Sequence, residues 1–185
     1  HKWSEKRIQE IEDHNARFQE KDFAKLREVL IWWVRETGYK VLLCPEMTYQ
    51  VDLMNAIRDP LPDDVKEKVL KRGYWLPDEA ASVYARSCAV VSFDCHSPII
   101  AAVNNTPFFY LRQPEDTIKG QMYYDLNFPD WVFEIEETTG EQIRDRLKYV
   151  WSNYVKSKKR ITKEMERIDN IYKKSCEEID LLLKK

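Results

Sequence analysis

The chain has 185 residues, of which 43% are hydrophobic and 34% are charged, and this balance is typical of a globular protein with one domain or slightly more. Its 30 Lys and Arg residues and 32 Asp and Glu residues give a net charge of −2, which excludes the overall cationic surplus of a general nucleic-acid binder. No apolar run approaches the roughly 20 residues that cross a bilayer, and the sequence opens without a secretory signal pattern.

The first half of the chain predicts helices separated by short strands. Apolar residues at helical spacing predict a long helix over 4–36, which Thr37-Gly38 ends. The elements expected next are a buried strand over 39–44, a helix over 48–58, a helix from Asp63 or Asp64 to Leu70, a short strand over 72–75 and a helix from Pro77 to Ser87.

The strongest strand signal lies at 88–93, where apolar residues on both faces are typical of a central parallel strand. Ser97 and Pro98 predict the next helix start, because Ser is a good N-cap and Pro a good first helical residue. A strand over 108–111, a short helix over 119–126 and a last strand over 131–135 follow. This alternation predicts an α/β fold with a mainly parallel sheet.

Residues 138–184 predict one long helix or two. From Ile161 the seam positions recur in steps of four and three, as in a heptad pattern with one polar gap; they are Ile161, Met165, Ile168, Tyr172, Ser175, Ile179 and Leu182. Two interpretations stay open: the seam packs on its own domain, or it meets a partner helix or a further domain.

The segment Phe93–Pro98 is the candidate site, because it joins the strongest strand to a buried helix. Ligands of α/β sheets bind beyond the carboxyl ends of the strands, where helix N-termini favour anions. His96 suits proton transfer, and the alternative is a histidine that only hydrogen-bonds the turn. Asp94 either orients the His96 ring or lowers the local affinity for anions. For Cys95, a buried thiol is favoured over a nucleophile.

Arg112 and Lys119 follow the next strand and are candidate cations for an anionic ligand at the same edge of the sheet. The alternative for each of them is a solvated surface charge. With only four glycines, the chain lacks a Walker loop and a Gly-x-Gly-x-x-Gly turn. It also lacks a hydrolase elbow and any His, Asp or Glu spacing typical of metal ligands, so no metal is expected. Four cysteines without a CxxC pair favour reduced thiols and a cytoplasmic setting.

Several short segments occur in an order that resembles the C-terminal half of the polysaccharide pyruvyl transferase family. That family shows a two-valine strand, Arg-x-His-Ser, an apolar helix and Gly-x-Pro, followed by a lysine, an Asp-Leu-Gly element, an apolar strand and a long terminal helix. The matching segments are Trp75–Ala80, Val90–Ala102, Asn105–Pro107, Lys119-Gly120 and Asp125-Leu126. The resemblance covers about residues 39–150.

The resemblance implies a Rossmann-like parallel sheet flanked by helices, as the C-terminal domain of a GT-B-like architecture. Residues 1–137 would form this domain and 138–185 a long C-terminal helical segment, with the first strand and the N-terminal domain preceding His1. The implied function is transfer of a pyruvyl group from phosphoenolpyruvate to a sugar hydroxyl as a ketal, in cell-surface polysaccharide biosynthesis. The implied partners are phosphoenolpyruvate and a saccharide acceptor, without a cofactor, a nucleic acid or a transmembrane segment. The implied location is the cytoplasm, with a peripheral position at the inner membrane as an alternative.

On this resemblance His96 is the acid or the donor ligand, Ser97 starts the anion-facing helix, and Lys119 is the family lysine. The sequence departs from the family at Asp94, where the family has arginine. A like-charge contact with the donor at this position would cost on the order of 4 kcal/mol at an intermediate dielectric. Two alternative functions follow: a catalytically degenerate interaction module, and a glycosyltransferase of the same fold with a nucleotide-sugar donor.

Overall fold

The computed structural model describes residues 4–48 and 50–184, and at Thr117 it describes the backbone alone. Within this part of the chain the helices are α1 (Glu5–Thr37), α2 (Gln50–Arg58), α3 (Asp63–Lys66), α4 (Pro77–Tyr84), α5 (His96–Val103), α6 (Gln121–Asp125), α7 (Gly140–Ser152) and α8 (Tyr154–Leu183). The strands are β1 (Val41–Leu43), β2 (Val69–Lys71), β3 (Val90–Ser92), β4 (Phe108–Arg112) and β5 (Val132–Glu134). Two 3₁₀ segments, Pro114–Gly120 and Pro129–Trp131, precede α6 and β5. The predicted α/β class is confirmed.

The chain forms two compact units. The first consists of residues up to Trp75 together with Ile135–Asp145, and the second consists of Leu76–Glu134 together with the residues from Arg146 onward. The predicted domains, 1–137 and 138–185, do not coincide with these units.

The first unit contains α1 and a small parallel sheet of β1 and β2. The predicted ends of α1 are confirmed: the Ser4 hydroxyl accepts a hydrogen bond from the Arg7 amide, and Gly38 ends the helix with a φ of 70°. A left-handed residue of this kind is where glycine avoids the steric cost of a Cβ atom. The prediction of a strand over 72–75 is wrong. The strand that pairs with β1 is β2, which begins three residues earlier, at the buried Val69.

The second unit contains a three-stranded parallel sheet in the order β3-β4-β5. The prediction that 88–93 forms a central strand is wrong within the described sheet, since β3 lies at one edge and β4 lies in the middle. The reason is burial: all four residues from Phe108 to Leu111 are fully buried, whereas only Val90 of β3 is buried. The longest and most apolar strand therefore takes the position that is covered on both sides.

Aromatic rings cover β4 and make up much of this core. The ring of Phe108 lies 5.0–5.5 Å from those of Tyr123, Phe128 and Trp131. The guanidinium of Arg160, from α8, lies 5.0 Å from the centre of the Phe128 ring. Such contacts stabilise a core beyond the simple burial of area, and they fix the strand whose end carries part of the candidate site.

The C-terminal segment is two helices, α7 and α8, with Asn153 between them. The seam on α8 divides into two halves. Ile161 is fully buried in the second unit, whereas Tyr172, Ile179 and Leu182 are 56–69% exposed. Both interpretations of the seam therefore apply to part of it: its first half packs on its own unit, and its second half has its apolar residues exposed. Among the described helices, none combines the length and the apolar character that crossing a bilayer requires.

Candidate functional site

The candidate site lies at the carboxyl edge of the three-stranded sheet. Because the strands are parallel, their last residues Ser92, Arg112 and Glu134 lie at the same edge, and Arg112 is directly paired with Glu134. The loop after β3 carries Asp94 and Cys95, and His96 begins α5, so these three residues lie at the edge where ligands of α/β sheets bind.

His96 and Asp94 form a hydrogen-bonded pair. The Nδ1 atom of His96 lies 2.6 Å from Oδ1 of Asp94, and the same oxygen accepts the His96 backbone N–H at 2.9 Å. A carboxylate only accepts hydrogen bonds, so Nδ1 carries the proton and Nε2 is the other, unprotonated nitrogen of the neutral ring. The side chain of His96 is 68% exposed. Of the two roles predicted for Asp94, the structure shows the first, which is to orient the imidazole.

Hydroxyl groups hold the backbone of this turn in place. The Ser92 hydroxyl accepts the Asp94 N–H at 2.9 Å, and the buried Tyr123 hydroxyl donates to the Cys95 carbonyl. A buried carbonyl that lacked this donor would cost about 1–3 kcal/mol. The turn that presents His96 is therefore braced from inside the unit.

Ser97 does not cap α5. The helix begins at His96, two residues before the predicted first helical residue Pro98, and the Ser97 hydroxyl lies in the core at 2.7 Å from the Tyr84 hydroxyl. The physical reason is that Asp94 already accepts the first free N–H of the helix, as aspartate does in Asx turns. The Ser97 hydroxyl is thus turned away from the edge where an anion would bind.

Cys95 has the character of a buried thiol. It is 8% exposed, and burial raises its pKa, as does the negative charge of Asp94. The charge of Lys119 acts on the pKa of the same thiol in the opposite direction and lowers it. A thiol with a raised pKa is a poor nucleophile at neutral pH, in line with the interpretation that the sequence favoured.

Arg112 is already paired with a carboxylate. Its Nη1 atom lies 2.6 Å from Oε1 of Glu134, and this hydrogen bond is the main cause of the raised pKa of the guanidinium. Oε1 also accepts the Tyr124 hydroxyl at 3.2 Å, and the Arg112 side chain packs against Gly120, where a Cβ atom would overlap it. The positive charge of Arg112, which was predicted to bind an anionic ligand, is therefore largely neutralised by Glu134 in the same unit.

Lys119 is exposed, as a ligand-binding lysine would be, and it lies in the 3₁₀ segment Pro114–Gly120, which also carries Asp116. Asp116 accepts hydrogen bonds from the Tyr110 hydroxyl at 2.6 Å and from the Gln113 N–H at 3.0 Å. Burial, and then the hydrogen bond to Asp116, raise the pKa of Tyr110 well above its usual range. Tyr110 is thus a structural hydroxyl that fixes this segment and carries no charge.

The sequence analysis did not predict that Tyr123, Asp116 and Glu134 belong to the site. Glu134 was predictable, since it is the last residue of a strand parallel to the one that ends at Arg112. Asp116 also had one, because an acidic residue three positions after Gln113 is typical of a reciprocal cap at a helix start. Tyr123 had none, because it reaches Cys95 only through the tertiary packing.

The site also brings together three groups that metals bind. The carboxylate of Asp94, the thiol of Cys95 and the imidazole of His96 have ligand atoms that all lie within 4.8 Å of one another. The sequence was expected to lack metal-ligand spacing. Three consecutive residues of different chemical type follow no known ligand spacing, so the sequence pattern did not predict this cluster.

Comparisons of the chain with protein-family models, with curated proteins and with solved structures give no significant match. The resemblance to the pyruvyl transferases therefore stays a prediction. The candidate site is defined by its geometry: an exposed imidazole, held by a carboxylate, at the carboxyl edge of a parallel sheet.

Proposed function

We propose that this chain belongs to a transferase of cell-surface polysaccharide biosynthesis, which moves the pyruvyl group of phosphoenolpyruvate to a sugar as a ketal. The observation that carries the proposal is the His96 imidazole, exposed at the carboxyl edge of the sheet and oriented through Nδ1 by Asp94. An exposed imidazole that a carboxylate holds through one of its two nitrogens is suited to acid–base chemistry. The ordered motifs named above supply the substrate class.

The reaction needs one group that gives and takes protons. A proton added to the methylene carbon of phosphoenolpyruvate leaves positive charge on the carbon that bears the phosphate. Two hydroxyls of one sugar then form C–O bonds to this carbon, and its bond to the phosphate oxygen breaks. Of the two hydroxyl protons, one restores the acid and the other leaves with phosphate. We propose that His96 in its imidazolium form gives this proton from Nε2 and then recovers one, or else that His96 binds the donor.

Lys119 is the cation proposed to face the donor, since it is exposed and its charge already acts at the turn. Arg112 acts together with Glu134 in this proposal, and Ser97 contributes through its place in the first turn of α5. The remaining parts of the proposal follow the resemblance: a GT-B-like enzyme with a second Rossmann-like domain, a saccharide acceptor, no nucleic acid, and a cytoplasmic location, with a peripheral position at the inner membrane as the alternative.

The test is replacement of His96 in the full-length protein. Because a positioned acid–base group contributes about 10²–10⁴-fold to a rate, His96→Gln is expected to lower turnover of phosphoenolpyruvate with an acceptor sugar by that factor. The matched control is His14→Gln, which removes a histidine of the first unit that pairs with Glu136. Unchanged turnover in the His96 variant, with wild-type circular dichroism, would remove the proposed role.

The second half of the α8 seam favours one competing function, an interaction module without catalysis. Tyr172, Ile179 and Leu182 leave an apolar stripe exposed, and such stripes are typical of surfaces that self-associate or dock a further domain. Calorimetry with phosphoenolpyruvate and with nucleotide sugars separates the candidates. Binding of phosphoenolpyruvate supports the pyruvyl transferase, and binding of a nucleotide sugar alone supports a glycosyltransferase. Binding of neither, with association that Ile179→Lys abolishes, supports the module.

A further inference from the structure

We propose that Asp94, Cys95 and His96 form a binding site for one divalent transition-metal ion of the Zn²⁺ class. The ligand atoms are a carboxylate oxygen, Sγ and Nδ1, which all lie within 4.8 Å of one another in one turn. Zn²⁺ takes oxygen, sulfur and nitrogen ligands, and sites with three protein ligands keep a fourth position open. With the His96 side chain 68% exposed, that fourth position faces solvent.

The distances suit a tetrahedral ion after one small change. Bonds of about 2.0–2.3 Å place the ligand atoms of a tetrahedral site roughly 3.3–3.8 Å apart. The separation between Sγ of Cys95 and Nδ1 of His96 is 3.9 Å, close to this range. The separation of 2.6 Å between Nδ1 and Oδ1 of Asp94 is that of a hydrogen bond. The ion replaces the proton of that bond, and rotation of the Asp94 side chain opens the gap by about 1 Å.

The charges around the turn favour a cation over an anion. Asp94 and Asp116 both act on the Cys95 thiol as negative charges, and Lys119 is the cation that opposes them. The nearby Arg112 guanidinium is paired with Glu134. A divalent ion reverses the balance at this edge and holds the thiol as thiolate, because a metal deprotonates a coordinating thiol.

The protons of the binding step balance. In the neutral imidazole the proton on Nδ1 is replaced by the ion, and a proton is carried on Nε2 instead. The Cys95 thiol loses its proton to solvent, and the Asp94 carboxylate is already ionised. Binding of one ion therefore releases one proton per chain, and Nε2–H still faces outward as a hydrogen-bond donor.

The backbone of the turn is held in a way that suits a metal site. Tyr123 fixes the Cys95 carbonyl and Ser92 fixes the Asp94 amide, so the three ligands start from one conformation. Supporting contacts of this kind typically change metal affinity by 10–100-fold when they are lost. The use of the ion rests on the proposed function in the form where His96 binds the donor. The ion's positive charge would take the place of the arginine that the resemblance puts at Asp94 and would attract the donor phosphate. His96, with Nδ1 on the ion, would then donate a hydrogen bond from Nε2–H to the donor instead of exchanging protons with it.

The experiment uses the full chain, with Zn²⁺ in calorimetry and Co²⁺ as a spectroscopic probe. We expect one ion per chain, release of one proton, and a near-ultraviolet band from thiolate bound to Co²⁺. Cys95→Ser is expected to abolish that band, and His96→Gln, at an exposed position that the fold tolerates, to weaken binding by more than about 100-fold. Cys176→Ser is the matched control, since it removes an exposed cysteine of the same unit.

Each outcome of this experiment either supports or overturns the proposed metal site. A band in the wild type and in Cys176→Ser, lost in Cys95→Ser and weakened in His96→Gln, supports the site. No band in the wild type, or a band that Cys95→Ser keeps, overturns it. Metal binding without turnover of phosphoenolpyruvate would retain the site and reject the proposed function. Turnover that needs His96 in a chain that binds no metal would do the reverse.

Discussion

The hydroxyl of Tyr123 offers a sharp test of how the turn before α5 is held. Tyr123 is 1% exposed and donates to the Cys95 carbonyl, and its ring packs 5.5 Å from Phe108 and 5.2 Å from Tyr110. Tyr123→Phe keeps these ring contacts and removes the hydroxyl that donates to the Cys95 carbonyl. A buried carbonyl left without its donor costs about 1–3 kcal/mol. We therefore expect the free energy of unfolding to fall by that amount.

The neighbouring residue supplies the control. Tyr124 is half-buried, and its hydroxyl donates at 3.2 Å to Glu134, which also pairs with Arg112. Tyr124→Phe leaves that carboxylate with a charged partner, so its cost is expected to stay near the lower end for hydrogen bonds, about 0.5 kcal/mol. The two variants make the same chemical change one residue apart. They therefore compare the cost of losing the donor to a buried carbonyl with the cost of losing one of two donors to a carboxylate.

The assay is urea unfolding of both variants, followed by circular dichroism and by tryptophan fluorescence. With a slope of about 2 kcal/mol per molar urea, the Tyr123 variant shifts the midpoint down by roughly 0.5–1.5 M and the Tyr124 variant by about 0.25 M. Equal shifts for the two variants would refute the reasoning, because they would show that the Cys95 carbonyl does not depend on the hydroxyl.

Two further predictions concern the second unit and its ion pairs. Gly120→Ala adds a Cβ atom that overlaps the side chain of Arg112, so we expect urea unfolding to show a loss of about 1 kcal/mol in the free energy of unfolding. The control is Gly73→Ala, which is expected to leave stability nearly unchanged because its added Cβ atom meets nothing within 4 Å. Burial raises the pKa of Asp130, but the hydrogen bond and charge of Arg160 outweigh it and hold the pKa below its usual value. A lowered pKa contributes stability that is present above the unfolded value of about 3.9 and is lost as the pH falls through the folded value. Asp130→Asn should therefore destabilise the protein at pH 7, and the difference between the two urea midpoints should shrink as the pH falls below the unfolded value. A difference that stays constant with falling pH would contradict the assignment.

Local signals in the sequence predicted the helices well where both ends are marked. Ser4 and Gly38 bound α1 because each satisfies free backbone groups, and this local chemistry acts without tertiary contacts. Asn105 has a left-handed backbone, with a φ of 54°, a conformation that asparagine tolerates through its short polar side chain. These features depend on one or two residues each.

Strand order was not predictable in the same way. The apolar stretch at 88–93 suggested a central strand, yet β3 lies at the edge of the described sheet and β4 in its middle. Which strand is covered on both sides depends on the rings of Tyr123, Phe128 and Trp131, which come later in the chain and pack around Phe108. The pattern of a strand reports its apolar character, whereas its position is decided by what packs on it.

The candidate site shows the same division. The location of His96 followed from the strand–helix junction, and it is confirmed at the carboxyl edge of the sheet. The pairing of Arg112 with Glu134 was missed, because the two residues lie on neighbouring strands 22 positions apart. The buried hydroxyl of Ser97 was missed because a serine before a proline predicts a cap from local chemistry alone.

Asp94 is the residue that fixes both the start of α5 and the orientation of His96. One of its oxygens accepts both the His96 N–H and the His96 ring, so a single carboxylate starts the helix and orients the imidazole. An arginine at this position has only donors, so it would attract an anionic donor but accept neither hydrogen bond. Aspartate and arginine are therefore not two solutions to one need: an arginine would bind an anionic ligand directly, whereas Asp94 orients the His96 imidazole. If the proposed function holds, the positive charge that faces the donor has to come from elsewhere, either from Lys119 or from a bound ion.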